Sequence, residues 1–300
     1  MRKLATLALV LVLSVVVAGC GSDDEETSGT TEAATTAAAA DDCAKESLTL
    51  VEEGQLTVGT DNPAYPPWFE GGSPEGSQWE INDPSTGEGF ESAVAYAIAE
   101  ELGFAEDEVE WVVVPFNQSF RPGPKNFDFD INQISFTDER ASAVDFSESY
   151  YDVNQAIVTV AGSSIADAAS IADLKEAKLG AQIGTTSYDY IVENIQPNRE
   201  PSVYDTNNDA ISALNAKQID GIVVDLPTAF FVVAAELDDG VIVGQFPAPG
   251  EQERFGLVLE QDSPLTPCVD AAIATLREDG TLEEIQQEWL SDKVDAPVLE

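Results

Sequence analysis

The segment DINQISFTDERASAVDF (residues 130–146) puts Arg140 where a helix should begin. Thr137 reads as the N-cap, so Asp138, Glu139 and Arg140 fill the first turn. A cation there meets the positive end of the helix dipole, at a cost of roughly a few tenths of a kcal/mol. The chain has 13 Lys plus Arg against 56 Asp plus Glu, so a scarce arginine on a poor helical site asks for a chemical reason. A guanidinium grips a carboxylate in a planar, two-pronged fit that Lys cannot reproduce, and Ser135 adds a hydroxyl just upstream. A local ion pair with Asp138 or Asp145 is the competing explanation. Asp225, at the end of GIVVD, offers a carboxylate to a cation, or else caps the PTAFF helix that starts at Pro227. In IGTTSYDYIVENI, Thr185 and Thr186 precede a helix whose free N–H groups suit an anion; a plain hydroxyl cap explains them equally well. Tyr65 and Trp68 in NPAYPPWF are either core residues or an aromatic wall, and the Pro-stiffened loop favours the wall.

These side chains need a frame that brings them together. Strand-like and helix-like stretches alternate, the mark of an α/β fold. QLTVGT, VEWVVVPF, FDFDINQIS, NQAIVTVAG (154–162), AKLGAQIG, IDGIVVD and RFGLVLE (254–260) read as strands. Helices are expected over 89–102, from TDERASAVDF, from Thr185 to about Ile195, over NDAISALNAKQ and PTAFFVVAAE, and as a closing pair separated at Gly280. Two short matches recur in the same order: VGT (58–60) with IGT (183–185), and KNFD (125–128) with KQID (217–220). They predict two similarly built lobes, with crossings near 154–162 and 252–258. Ligands of open α/β sheets bind beyond the carboxyl ends of strands, where Tyr65, Gln133, Ser135, Thr185, Thr186 and Asp225 fall. Gln133 follows Asp128 at the same interval as Asp225 follows Asp220, so both lobes present a polar side chain at the equivalent spot.

The amino terminus, MRKLATLALVLVLSVVVAGC, has the basic start, short apolar run and small-residue end of a signal peptide over 1–19. VVAGC resembles the lipobox of bacterial lipoproteins, which implies lipidation at Cys20 and an anchored rather than spanning protein. Residues 20–43 contain Ser, Thr, Ala and acids with no aromatic, and read as a solvated tether. The two remaining cysteines, Cys43 and Cys268, are either bridged or free and buried; outside the cytoplasm the bridge is expected. The formal charge of −43 argues against nucleic acid and anionic lipid surfaces as partners. With no His, the usual general base and the commonest metal ligand are missing. No P-loop or cysteine cluster is present, and neither metal nor cofactor is expected.

LTVGTDNPAYPPWF, GFESAVAYAIAEELG, FDFDINQISFTDERASAVDFSESYY, IGTTSYDY, QIDGIVVDLPTA and LREDGTLEEIQQEWL together resemble the polar amino-acid class of ABC-transporter solute-binding lipoproteins, family 3, from about Leu48 to Leu290. The resemblance implies a periplasmic-binding-protein-like fold of type II: two lobes, each a mixed sheet flanked by helices, joined by two hinge strands. Lobe 1 would take 44–156 plus 254–300 and lobe 2 would take 157–253. It also implies that Arg140 holds the α-carboxylate of a free amino acid with help from Thr185 and Thr186. Asp225 would take the α-ammonium, Tyr65 would cover the ligand, and Gln133 and Ser135 would supply hydrogen bonds. The expected partner is an ABC permease, and the expected place is the outer face of the cell membrane, as a monomer without enzymatic activity. Two other functions carry forward. Some proteins of this fold are dehydratases of the cyclohexadienyl type, which need a general acid in the cleft, and a sensing lipoprotein would keep the fold without a permease. Asn132 and Gln133 stand where the family has small residues, and RPGPKN, Arg121 and the loop GGSPEGSQWEINDPSTGEG also depart from its pattern.

Overall fold

The computed structural model describes residues 43–290 and 296–300. The expected signal peptide, Cys20 and the tether up to Asp42 lie outside the described residues. Among the described residues no helix is long and apolar enough to cross a membrane.

Two five-stranded sheets of the same design carry the fold. The first holds β1 (Leu56–Thr60), β2 (Val109–Val113), β3 (Phe129–Asp130), β4 (Asp145–Val153) and β10 (Glu253–Leu259), in the order β2-β1-β3-β10-β4. The second holds β5 (Gln155–Val160), β6 (Leu179–Gln182), β7 (Ser202–Tyr204), β8 (Gly221–Asp225) and β9 (Gly240–Gln245), in the order β7-β6-β8-β5-β9. In each, three parallel strands are followed by two antiparallel ones. The paired sequence matches therefore fall at equivalent places: KNFD leads into β3 and KQID into β8, the two strands whose carboxyl ends carry Gln133 and Asp225.

Helices pack on these sheets because their apolar faces match. α1 (Phe90–Glu101) buries Phe90, Val94, Ala95, Ile98 and Ala99. Gly89 begins it at φ 98°, and a Cβ there would lie 2.5 Å from the Phe69 backbone, so only glycine admits this close entry. Short helices follow at α2 (Phe116–Ser119), α3 (Asp138–Ala141) and α4 (Thr186–Tyr190), then α5 (Asn207–Asn215) and α6 (Leu226–Phe231). α4 and α6 run on into π-helical turns at Ile191–Ile195 and Val232–Glu236. α7 (Thr266–Glu278) and α8 (Thr281–Leu290) close the first lobe, and Cys43 is joined to Cys268 of α7 by a disulfide.

The chain crosses between sheets at Asn154, between β4 and β5, and again ahead of Glu253. The crossings are bonded to each other: Gln252 Nε2 donates to the Val153 carbonyl at 2.6 Å, and the Phe246 amide donates to the Gln155 carbonyl at 2.7 Å.

Two expectations differ from what is found. Helix from TDERASAVDF stops at Ala141, and residues 145–153 form β4 instead, because they pair along most of β10. Residues 296–300, expected with lobe 1, lie on lobe 2. Val298 bridges Gln245 of β9, Ala296 and Leu299 enter that lobe's core, and the Leu299 amide donates to the Gln245 carbonyl at 2.9 Å. The free edge of β9 and the apolar slots beside it are the physical reason.

Candidate functional site

Arg140 enters the site because Thr137 caps α3, its hydroxyl accepting the Arg140 amide at 3.1 Å. The arginine is buried between the lobes. Nη1 donates to the Ser135 carbonyl at 2.6 Å and Nη2 to the Gly184 carbonyl, in the other lobe, at 2.8 Å. Phe120 and Phe116 flank the guanidinium at 4.5 and 5.6 Å from their ring centres. Among the described residues Arg140 forms no ion pair, and Asp145 is occupied by the amides of Asp262 and Ser263 and the Thr266 hydroxyl. The local ion pair is therefore not the reason for this arginine. Burial pulls its pKa down, opposed by the more distant acids Asp189, Glu253 and Asp225.

Arg140 and Asp225 line the same cavity, as do Tyr65, Gln133, Ser135, Thr185 and Thr186. Asp225 occupies the N-cap position of α6 but accepts no capping bond. Its Oδ1 accepts from Gln155 Nε2 at 2.7 Å instead. Gln155 is its cross-strand partner in the β5–β8 register. Burial first, then the nearby Glu253 carboxylate, push the Asp225 carboxyl well above the ordinary range. Thr185 does cap α4, accepting the Tyr188 amide at 3.2 Å and donating to the Gln182 carbonyl at 2.8 Å, and it also faces the cavity. Ser135 and Thr186 each donate to Glu253 Oε1 at 2.6 Å, with their own oxygens 3.2 Å apart.

The remaining residues divide. The hydroxyl of Tyr65 is buried at the cavity with no hydrogen-bond partner among the described residues, and burial followed by Asp61 pushes its phenol well above the usual range. Gln133 lines the cavity, yet it adopts φ 48° and turns its amide N–H (2.7 Å) and its side-chain amide to Glu91. Trp68 is not an aromatic wall. It is fully buried in the first lobe, edge-on to Phe255, Tyr151 and Phe90, and its Nε1–H donates to Thr228 Oγ1 of the second lobe at 2.9 Å. The indole finds more apolar area against those three rings than a cleft wall offers. Arg121, one of the departures from the family pattern, bonds Gln118 and does not line this cavity.

Several groups have no role in the sequence reading. Asp61, directly after β1, faces the cavity; burial pushes its carboxyl up against the opposing amides of Asn62 and Phe116. Asn132 presents an Nδ2 without a partner among the described residues. Behind them Glu91 is completely buried. It accepts from Tyr150 and Gln133, and burial raises it to about 7. The position after a strand was the available signal for Asp61; one acid among so many carried none for Glu91 or Glu253.

The chain matches the bacterial extracellular solute-binding proteins, family 3, over residues 56–292. It is 29% identical over 248 residues to the L-cystine-binding protein TcyJ of Escherichia coli (strain K12), covering 81% of this chain and 85% of that one. An ancestral arginine-binding protein bound to arginine superposes with a TM-score of 0.63 at 27% identity, over 79% of this chain and 98% of the other. The ancestral amino acid-binding protein AncCDT-1, a precursor of cyclohexadienyl dehydratase, does so with a TM-score of 0.63 at 26% identity, over 79% and 95%.

Proposed function

The chain belongs to the bacterial extracellular solute-binding proteins, family 3, and from that premise we propose that it captures a free amino acid between its lobes and delivers it to an ABC permease. One observation carries the reading: a guanidinium from the first lobe and a carboxylate from the second face one cavity, neither joined to an opposite charge among the described residues. These are the complements of an α-carboxylate and an α-ammonium, with the Ser135 and Thr186 hydroxyls between them.

The size agrees. The cavity of about 60 Å³ holds more than one water, since one needs ~10–15 Å³, and this suits a small solute. Away from the clamp, the Asp61 carboxyl, the Tyr65 hydroxyl and the Asn132 amide present acceptors and donors to the ligand side chain. A carboxyl with only backbone partners favours a side chain that donates hydrogen bonds or carries positive charge. Closure is the ligand's own work, since only the closed form brings both lobes' groups to it. Lipidation at Cys20 would hold the protein, as a monomer, at the outer face of the membrane within reach of the permease; Cys20→Ser should release it into the medium.

A thermal-shift and calorimetric screen of the twenty standard amino acids tests the reading. A response to at least one is expected, moved to at least about thirtyfold higher ligand concentration in Arg140→Ala; silence from all twenty refutes it. A catalytic reading stands second, supported by the likeness to a dehydratase precursor and by Asp225, whose raised carboxyl could serve as an acid. Incubation with a cyclic precursor of an aromatic amino acid separates the two: binding without an aromatic product is expected.

A further inference from the structure

Glu253 opens β10 at the crossing between lobes, and its surroundings fix where the protons of the site reside. Its Oε1 accepts from Ser135 Oγ of the first lobe and Thr186 Oγ1 of the second, both at 2.6 Å. Each hydroxyl has one proton. With both protons given to Glu253, the two oxygens turn only lone pairs to the cavity they line. Gln155 Nε2 then joins the two acids, donating to Asp225 Oδ1 at 2.7 Å and to the Glu253 oxygens at 3.2 and 3.1 Å. One end of the cavity is thus walled by two hydroxyl acceptors and backed by two carboxylates that meet on a single amide group. Such an end fits a group that only donates, which is an ammonium.

We propose that Glu253 is the second anion of this ammonium subsite, and that Asp225, held beside it on the Gln155 amide, keeps a proton which it releases to solvent when an ammonium enters. The inference rests on the amino-acid reading above. The balance is simple: an ammonium bearing its three protons replaces one acid proton, the pair passes from one negative charge to two, and one H⁺ leaves. Other charged or titratable groups bearing on Asp225 are Arg140 of α3, Glu91 of α1, and Tyr150 and Tyr151 of β4. Arg140 is the single cation among them; it opposes the upward push on Asp225 without forming an ion pair with it, and the push prevails. The upward push on Asp225 by burial and by Glu253 agrees with a retained proton. Under the family-implied assignment Thr186 would instead give its hydroxyl proton to the ligand carboxylate; the two assignments differ in where that proton goes.

Titration calorimetry with L-arginine near pH 7, in phosphate and in Tris, counts the protons released. Release of close to one per ligand is expected, together with binding that tightens about tenfold per pH unit below the raised Asp225 pKa. Glu253→Gln should bind more weakly and release almost none. Wild-type heats that do not depend on the buffer, or an undiminished release in Glu253→Gln, overturn the proposal. If L-arginine gives no heat, the amino-acid screen decides the parent reading, and carboxyl-carbon NMR of the ligand-free protein decides this one. The Asp225 signal should titrate above the normal carboxylate range and move down in Glu253→Gln. A normal midpoint, or one unmoved by the substitution, overturns it.

Discussion

Asp130 should be a liability, and removing it should stabilise the protein. It lies in β3, completely buried between β1 and β10, and neither carboxyl oxygen has a hydrogen-bond partner among the described residues. It packs against Gly59, where a Cβ would come within 2.6 Å of Oδ2. Burial, then Glu91 and Asp61, push its carboxyl up, and Lys125 opposes them weakly. A carboxyl raised in the folded state supplies stability below its unfolded pKa of about 3.9, and that stability is lost as the pH rises through the folded value. Asp130→Val replaces it with a β-branched side chain suited to a buried strand. Leaving a buried polar group unsatisfied costs about 1–3 kcal/mol, and at roughly 2–4 °C per kcal/mol for a chain of this size the gain is about 2–12 °C in Tm. The gain should be larger near pH 8 than near pH 4, because the wild type alone must keep an acid neutral there. Asp130→Asn, which drops the charge but keeps polar atoms, should recover mainly the pH-dependent part. Calorimetric melts of the three proteins across that range test this. A less stable Asp130→Val, or a gain that ignores pH, would show that the carboxyl is satisfied and the reasoning wrong.

Arg140→Ala should weaken amino-acid binding by at least about thirtyfold, since truncating one partner of a buried charge contact costs roughly 2–5 kcal/mol. Arg140→Lys should not restore it, because the ammonium cannot span the same two-pronged geometry. Trp68→Phe keeps an aromatic core residue but removes the bond to Thr228, so it should loosen the closed form by about 0.5–1.5 kcal/mol, a two- to twelvefold loss of affinity. Replacing both Cys43 and Cys268 with Ser opens a loop of sequence separation 225; the chain-entropy relation gives about 5 kcal/mol, and a measured loss of roughly 2–5 kcal/mol is expected from denaturant melts. Glu91→Gln should flatten the decline in stability as pH rises toward 7, with the melting temperature near pH 8 as the readout.

The sequence made the strand ends legible because that signal is local. β1, β6 and β8 are short apolar runs followed by polar residues, and the repeated KNFD and KQID mark two copies of one pattern. Arg140 was legible for a different reason, a charge in conflict with its own helix. What escaped was decided by residues far apart. DFSESYYDV alternates poorly, so β4 becomes a strand only through its register with β10, about a hundred residues away. The indole of Trp68 could turn either way out of its proline-rich loop until Phe90, Tyr151 and Phe255 closed around it. Glu253 reads as one more acid in an acidic chain, and its meaning lies in two hydroxyls and an amide carried by three other elements.

The crossing points give that chemistry its leverage. Gln155 is the first residue of β5 and Glu253 the first of β10, so both polar groups under the cavity sit where the chain passes between lobes. Rotation about these crossings would part the contacts that span the lobes elsewhere, Arg140 to Gly184 and Trp68 to Thr228. The Gln155–Glu253 contact lies on the pivot itself. An ammonium docked against the pivot would keep Glu253 through the motion, whereas the carboxylate end would be completed only when Gly184 and Thr185 swing in. If the site works as proposed, the ammonium is held first, and the grip on the carboxylate reports closure. Arg140→Ala should therefore abolish the ligand-induced decrease in radius of gyration in solution scattering at concentrations where L-arginine still shifts the melting temperature. If the variant closes fully on L-arginine, the pivot rather than the arginine drives the motion, and this ordering is wrong.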